Sequence, residues 1–133
     1  MSEPVCLLVD DERLIRAYLR AILQPRGFIC LEAGDAGSAL TLIRQLGGRL
    51  DLLVTDISMP GQMDGIDLAR VIRSEFAAIG IVLVSAYAGD EKVMRSSTEF
   101  AFVAKPFVAD KIWKAVTTVL PRSRPSRAES GSA

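Results

Sequence analysis

The 133-residue chain contains no histidine. Catalytic dyads and triads that use an imidazole base are therefore excluded, and the chain cannot itself carry a phosphohistidine. Its two cysteines, Cys6 and Cys30, lie within apolar, strand-like runs. That setting is typical of buried thiols that act as small hydrophobic side chains. Two cysteines without a histidine also do not form the usual structural zinc site.

Long apolar runs and an excess of one charge are also missing. No run approaches the roughly 20 residues that a membrane-spanning helix needs, and the run from Val5 to Val9 is too short for a secretory signal. The 16 basic and 16 acidic side chains give a formal net charge of zero, whereas nucleic-acid-binding domains are normally basic. We therefore expect a cytoplasmic protein with no membrane partner and no direct nucleic-acid partner.

What is present is a regular alternation of strand-like and helix-like segments. Half of the residues are hydrophobic, which is enough for one compact domain. Five short apolar runs alternate with stripes at helical spacing, and this pattern predicts an α/β fold whose parallel sheet carries helices on both faces. Between the fourth and fifth runs, residues 90–97 can form no more than a short helix. Residues 121–133 have no apolar side chain beyond alanine, so we predict a domain over residues 1–120 and a disordered tail over 121–133.

Polar side chains follow four of the five predicted strands. Asp10 and Asp11 follow the first, Asp56 the third, Ser85 the fourth and Lys105 the fifth. Each has an ordinary explanation alone, as a helix cap, a turn residue or a solvated cation. Because right-handed crossovers bring the carboxyl ends of parallel strands to one edge, the set together indicates a functional site.

The residue types in this set favour phosphoryl transfer. Three carboxylates that converge cannot all stay ionised without a cation, and Mg²⁺ prefers such oxygen ligands together with phosphate oxygens. A carboxylate such as Asp56 can also attack phosphorus. Lys105 would supply a positive charge and Ser85 a hydroxyl donor, which suits a reaction that depends on positioning and charge neutralisation.

These residues, with the segments Met59-Pro60-Gly61 and Met63-Asp64-Gly65, resemble the receiver domain of two-component response regulators over residues 5–120. The resemblance implies a five-stranded, doubly wound parallel sheet of the flavodoxin-like order 2-1-3-4-5, here with a short or irregular fourth helix. It also implies that Asp56 is the phosphoacceptor, giving an aspartyl phosphate. Mg²⁺ would be bound by Asp56, Asp11 and the backbone carbonyl of Ser58, and by Asp10 through water.

The resemblance further implies a switch. Lys105 would pair with the phosphoryl group, Ser85 would move towards it, and Phe102 would then turn inward. This would shift an existing equilibrium between inactive and active states at the surface of helix four, strand five and helix five. Two departures from the family pattern stand out: Gln62 is an extra residue in the loop beside the site, and the segment from Ser85 to Lys105 is short. Tyr87, two residues after Ser85, stands where the resemblance implies control of dephosphorylation, and its bulky ring predicts slow loss of the phosphoryl group.

The expected partners are proteins. Since the chain ends soon after the last predicted helix, we expect a stand-alone response regulator that signals through protein contact, with homodimerisation left open. The phosphoryl group would come from a histidine kinase or a phosphotransfer protein. The polar face of the first helix, with Arg13, Arg16 and Arg20, is either a docking site for that donor or a solvated face. Trp113 either packs at the border of the last helix or anchors a partner.

Other functions remain open at this stage. The protein could be a phosphate sink, which drains a kinase without output, or a phosphorylation-independent adaptor. A phosphatase with an aspartyl nucleophile is a weaker alternative, because such enzymes need a second aspartate two residues after the first and this chain has Ser58 there. We therefore expect no enzyme beyond self-phosphorylation and autodephosphorylation.

Overall fold

The structure, a computed structural model, describes residues 3–86, 91–96 and 99–120. Strands and helices alternate through it. The five strands are β1 (Val5–Val9), β2 (Ile29–Ala33), β3 (Leu52–Asp56), β4 (Gly80–Ser85) and β5 (Ala101–Ala104). The five α-helices are α1 (Arg13–Leu23), α2 (Ala36–Gln45), α3 (Gly65–Glu75), α4 (Glu91–Ser96) and α5 (Ala109–Val119), and a short 3-10 helix, Gln24–Arg26, follows α1.

All strands pair in parallel, in the order β2-β1-β3-β4-β5. The predicted fold class and strand order are thereby confirmed. The central strand β3 is buried along its whole length, as is expected of a parallel strand covered on both faces. With its neighbours β1 and β4 in register on either side, the carboxyl ends of these strands meet at one edge of the sheet.

Each face of the sheet carries its own hydrophobic core. Side chains of β3 alternate between them: Leu53 packs with residues of α2 and α3, while Leu52 and Val54 pack with residues of α1 and α5. This alternation follows from the two-residue period of a strand. The helices are thus distributed as the doubly wound arrangement requires.

Helix α4 is six residues long, which confirms the prediction of a short fourth helix. Its Val93 packs into the core shared with α2 and α3. The prediction for Tyr87 and that of a disordered tail over 121–133 concern residues outside the described part of the chain.

The apolar stripe of helix α1 is only partly buried. Leu19, Ile22 and Leu23 are buried, but Leu14 is 83% exposed and Tyr18 is 43% exposed. The apolar stripe is wider than the surface that the sheet and α5 can cover, so its first turns leave apolar side chains in solvent.

Cys6 and Cys30 face each other across β1 and β2, with their Sγ atoms 3.4 Å apart. Both are buried free thiols, as predicted. None of the described helices has the length and apolar character needed to cross a bilayer.

Candidate functional site

The side chains predicted to converge do so at the carboxyl edge of the sheet. Asp56 is the last residue of β3 and Ser85 the last of β4, while Asp10 and Lys105 follow β1 and β5 directly. Asp10, Asp56 and Ser85 are at most 6% exposed, which is unusual for polar groups at strand ends. The strand register therefore places four polar side chains from four segments in one partly enclosed crevice.

Three carboxylates form an acidic cluster in this crevice. Asp10, Asp11 and Asp56 each offer an oxygen atom, and these atoms all lie within 4.8 Å of one another. Asp10 and Asp56 are buried, whereas Asp11 is exposed at the mouth. Such a set of hard oxygen donors suits a divalent cation of the Mg²⁺ type.

Lys105 closes the opposite side of the cluster. Its Nζ lies 3.1 Å from Asp10 Oδ2 and 3.5 Å from Asp56 Oδ2. Burial disfavours the ammonium, but the two carboxylates outweigh burial and raise the pKa of Lys105 above its ordinary value. Its backbone N–H donates to the carbonyl of Ser85 over 2.8 Å, which ties the end of β5 to the end of β4.

The surroundings of Asp56 disfavour the charged form of its carboxyl group when no metal ion is bound. Burial and the neighbouring Asp10 raise the pKa of Asp56 to about 6, although Lys105 and a hydrogen bond from the Ser58 N–H act in the opposite direction. A divalent cation bound here would favour the charged form of Asp56, because its positive charge offsets the cost of burial and the repulsion from Asp10.

The loop after Asp56 is held at both ends. Asp64 caps α3 in a reciprocal capping box with Asp67, whose backbone N–H donates to Asp64 over 2.8 Å. The N–H of Gly65 donates to the carbonyl of Ile57 over 2.9 Å, which draws the start of α3 against the end of β3. Gly61 takes a φ of 110°, a conformation that favours glycine. The loop with the extra Gln62 therefore has a defined path next to the acceptor.

Ser85 and Phe102, the two residues predicted to act as a switch, lie at the end of β4 and within β5. Ser85 is buried, and its backbone carbonyl accepts the hydrogen bond from the Lys105 N–H. Phe102, in register with Leu83, is half-buried against the core of α2 and α3. It also lines a groove of about 490 Å³ between β5 and α5, whose rim carries Lys111 and Lys114.

The arginines of α1 have a role that the sequence did not reveal. Arg16 and Arg20 both pair with Glu32 on β2, with N–O distances of 2.8 and 2.5 Å, and Arg16 also donates to the backbone carbonyl of Asp10. These two side chains are therefore engaged within the fold, and Arg13 remains exposed. Nothing in the sequence pattern singled out Glu32 as their partner.

The outer surface beside Lys105 is apolar. Tyr18 stacks on Phe107 with ring centroids 5.4 Å apart, and Val108 is 59% exposed. Phe107 itself is buried beneath Tyr18, and both line a pocket with Lys105. Leu14 lies one helical turn before Tyr18 on α1. We call the exposed apolar side chains Leu14, Tyr18 and Val108 the α1 patch.

Trp113 packs within the protein. Its ring meets Phe28 edge-on at 6.4 Å, and the guanidinium of Arg26 lies 5.3 Å from its centre. These contacts favour the packing role over that of a partner anchor.

Comparison with known proteins points to one family. Residues 6–117 match the response regulator receiver domain. The chain is 31% identical over 121 residues to the chemotaxis protein CheY of Pseudomonas aeruginosa, covering 87% of this chain and 95% of that protein. It is 35% identical over 118 residues to the sensor kinase CckA of Brucella abortus, covering 87% of this chain and 12% of the kinase. It spans about half the length of the DNA-binding response regulators that it matches.

A solved structure agrees with these sequence matches. The response regulator TrrA of Thermotoga maritima, in complex with Mg²⁺-BeF, superposes with a TM-score of 0.76 at 32% identity. The match covers 88% of this chain and 99% of that one.

Proposed function

The chain belongs to the response regulator receiver domain family, and we propose that within it Asp56 accepts a phosphoryl group and thereby switches a protein-binding surface. Receiver domains of this family receive phosphoryl groups from histidine kinases and bind Mg²⁺ at an acidic pocket. CheY-like members are typically signalling proteins rather than enzymes.

One observation carries the proposal: the buried Asp56 shares a crevice with two further carboxylates and a lysine. Lys105 contacts both Asp10 and Asp56, so its ammonium lies next to the oxygen that would attack phosphorus. This arrangement supports the proposal, because phosphoryl transfer needs a nucleophile, a cation and metal donors at one place.

The donor set of the acidic cluster fits Mg²⁺. Asp11 and Asp56 would bind it directly with the backbone carbonyl of Ser58, and Asp10 would act through water. When bound, the ion would neutralise carboxylate and phosphoryl charge. The exposure of Asp11 leaves that side of the cluster open to solvent.

In the transfer step, an Oδ atom of Asp56 forms a bond to phosphorus while the phosphorus–nitrogen bond of a phosphohistidine donor breaks. Lys105 then pairs with an oxygen of the transferred group. The hydroxyl of Ser85 donates to another, because it lies at the end of the neighbouring strand. Motion of Ser85 makes room for Phe102, and the groove between β5 and α5 changes shape as a result.

The α1 patch is suited to receive the donor. Leu14 and Val108 are largely exposed, and Phe107 lies two residues after Lys105. Apolar side chains at the rim of a reaction site are typical of a surface that binds another protein. We therefore place the histidine kinase or phosphotransfer protein on this side.

Intact-protein mass spectrometry after incubation with Mg²⁺ and acetyl phosphate tests the proposal. We expect one phosphoryl adduct that requires Mg²⁺ and is absent in Asp56→Asn. Thr55→Ser serves as the matched control, because Thr55 adjoins Asp56 and donates its hydroxyl to the Asp56 carbonyl, which a serine can also do. An adduct that persists in Asp56→Asn would place the chemistry on another residue.

A second measurement separates a switch from a phosphate sink or an adaptor. The phosphorylated and unphosphorylated proteins are each used to retain partners from a lysate, followed by affinity measurement on the purified partner. A switch requires a change of affinity on phosphorylation. Equal affinity would favour the adaptor, and phosphorylation without any partner would favour the sink.

A further inference from the structure

Arg16 occupies a position that joins the edge of the sheet to the acidic cluster. Its side chain is 16% exposed. Nε donates to Glu32 Oε1 over 2.8 Å, and Nη1 donates to the backbone carbonyl of Asp10 over 2.5 Å. One planar group therefore contacts both a carboxylate on β2 and the main chain at the end of β1.

The carbonyl that Arg16 contacts belongs to the peptide between Asp10 and Asp11. The other groups of Asp10 are also held: its N–H donates to the Ala33 carbonyl over 3.2 Å, and its Oδ1 accepts from the Glu12 N–H over 2.9 Å. Arg16 thus supplies the contact that fixes the plane of the peptide leading to Asp11.

Asp11 has less support than its neighbours in the acidic cluster. It is exposed, whereas Asp10 and Asp56 are buried. Its direction is therefore set mainly by the backbone from which it projects. A rotation of the Asp10–Asp11 peptide would move the Asp11 carboxylate away from the two buried ones and open the cluster.

We propose that Arg16 is a positioning residue for the cation site, which holds the Asp10–Asp11 peptide in the orientation that brings the three carboxylates together. The inference rests on the proposed function, because it assumes that the cluster binds Mg²⁺. Glu32 completes the arrangement by fixing the guanidinium.

A guanidinium suits this role better than an ammonium. Its planar donors reach the Glu32 carboxylate and the Asp10 carbonyl at the same time and in fixed directions. Lysine would keep the charge but would hold one of the two acceptors at a time. Arg16→Lys is therefore a conservative variant that separates charge from geometry.

The chain offers a matched control in Arg20. It donates two hydrogen bonds to the same Glu32, and its third goes to the carbonyl of Cys30, over 3.1 Å, rather than to Asp10. Arg20→Met therefore removes one arginine from the same carboxylate without touching the acidic cluster. Any effect of lost ion pairing alone should be common to Arg16→Met and Arg20→Met.

The experiment measures Mg²⁺ affinity by competition with Mn²⁺, followed by the electron paramagnetic resonance signal of free Mn²⁺. Urea unfolding without metal provides the stability of each variant. We expect Arg16→Met to weaken Mg²⁺ binding about tenfold, the lower end of the effect typical of groups that orient metal ligands. Arg20→Met should change it less than twofold, and Arg16→Lys should lie between the two.

The possible results separate a failure of the role of Arg16 from a failure of the proposed function. Equal Mg²⁺ affinity in wild type and Arg16→Met, or equal losses in Arg16→Met and Arg20→Met, would overturn the role of Arg16 while leaving the proposed function intact. If the wild-type protein does not bind Mg²⁺, the proposed function fails and the inference fails with it. Should Arg16→Met not fold, Arg16→Lys against Arg20→Lys gives the same comparison.

Discussion

Gly65 lies directly against the backbone carbonyl of Asp56, so closely that a Cβ atom at Gly65 would overlap the carbonyl oxygen and approach the carbonyl carbon to 2.8 Å. The start of α3 is therefore packed onto the main chain of the proposed phosphoacceptor. A glycine is needed here because of this close approach, and its side of the helix has no space for a methyl group.

Gly65→Ala is expected to lower the free energy of unfolding by about 1–3 kcal/mol, the usual cost of overpacking. It should also slow phosphorylation, because β3 and α3 must separate at Asp56. Urea unfolding and intact-mass kinetics with acetyl phosphate measure the two effects. Gly37→Ala on α2 is the control: its Cβ would meet no atom closer than 3.5 Å, and it should be neutral or stabilising. Equal changes in stability and phosphorylation rate in Gly65→Ala and Gly37→Ala would show that the close approach of Gly65 to Asp56 is not their cause.

The raised pKa of Asp56 predicts that removing its charge stabilises the metal-free protein. The pKa is about 6 in the folded state against 3.8 for the ordinary carboxyl, so the folded state resists ionisation. The resulting loss of stability begins as pH rises through 4 and is complete above pH 6. Asp56→Asn should therefore be more stable than wild type by about 1–3 kcal/mol at pH 7.5, and equal to it near pH 3.5.

Urea unfolding in EDTA at both pH values checks this prediction. Added Mg²⁺ should stabilise the wild type, because it binds the folded state selectively. The difference in stability between Asp56→Asn and the wild type should then become smaller. If Asp56→Asn exceeds the wild type in free energy of unfolding by the same amount at both pH values, the stabilisation comes from packing and not from charge.

Lys105 should stabilise the metal-free site through its two carboxylates. Lys105→Met leaves Asp10 and Asp56 buried without a neighbouring cation, and we expect it to cost about 1–3 kcal/mol at neutral pH. The double variant Asp10→Asn, Lys105→Met should recover most of the loss, because the repulsion between carboxylates is then gone. A double-mutant cycle by urea unfolding measures the coupling between residues 10 and 105, and additive effects would contradict the ion pair.

The α1 patch predicts a variant that separates donor recognition from chemistry. Since Leu14 is 83% exposed, Leu14→Asp should leave stability nearly unchanged. We expect phosphotransfer from a phosphohistidine protein to slow about tenfold, equivalent to about 1.4 kcal/mol, with no change in phosphorylation by acetyl phosphate. Time-course phosphotransfer assays measure the rate of transfer from the phosphohistidine protein.

Met94→Asp is the control for that experiment. Met94 is 60% exposed on α4, whose Val93 packs into the core on the opposite face of the sheet from α1. If Met94→Asp slows donor phosphotransfer as much as Leu14→Asp does, the effect is not specific to the α1 patch.

The sequence predicted those features that depend on local pattern. The ends of β1, β3 and β4 follow from apolar runs, and parallel pairing then places Asp10, Asp56 and Ser85 together whatever the details of packing. The cap at Asp64 also follows from residue type alone. For these reasons the parallel α/β fold and the convergence of the polar residues could be predicted from the sequence pattern, whereas the strand order came from the resemblance to receiver domains.

Features that depend on contacts between distant segments could not be predicted from the sequence. Glu32 gives no sign in the sequence that it pairs with Arg16, and the fit of Gly65 against Asp56 depends on how closely α3 approaches β3. The exposure of Leu14 was hidden for a related reason. Periodicity shows which residues share a helix face, but not how much of that face the neighbouring elements cover.

The shortness of α4 has an energetic consequence. Six residues span about 9 Å, well below the length at which a helix is stable by itself. Its stability therefore depends on packing against the rest of the protein, in which Val93 takes part. Helix α4 should accordingly open at a low free energy compared with α2 or α3, and its amides should exchange early. If Asp56 is phosphorylated as we propose, a small difference in free energy between two arrangements of α4 would be enough to change this part of the surface, at little cost to the stability of the rest of the fold.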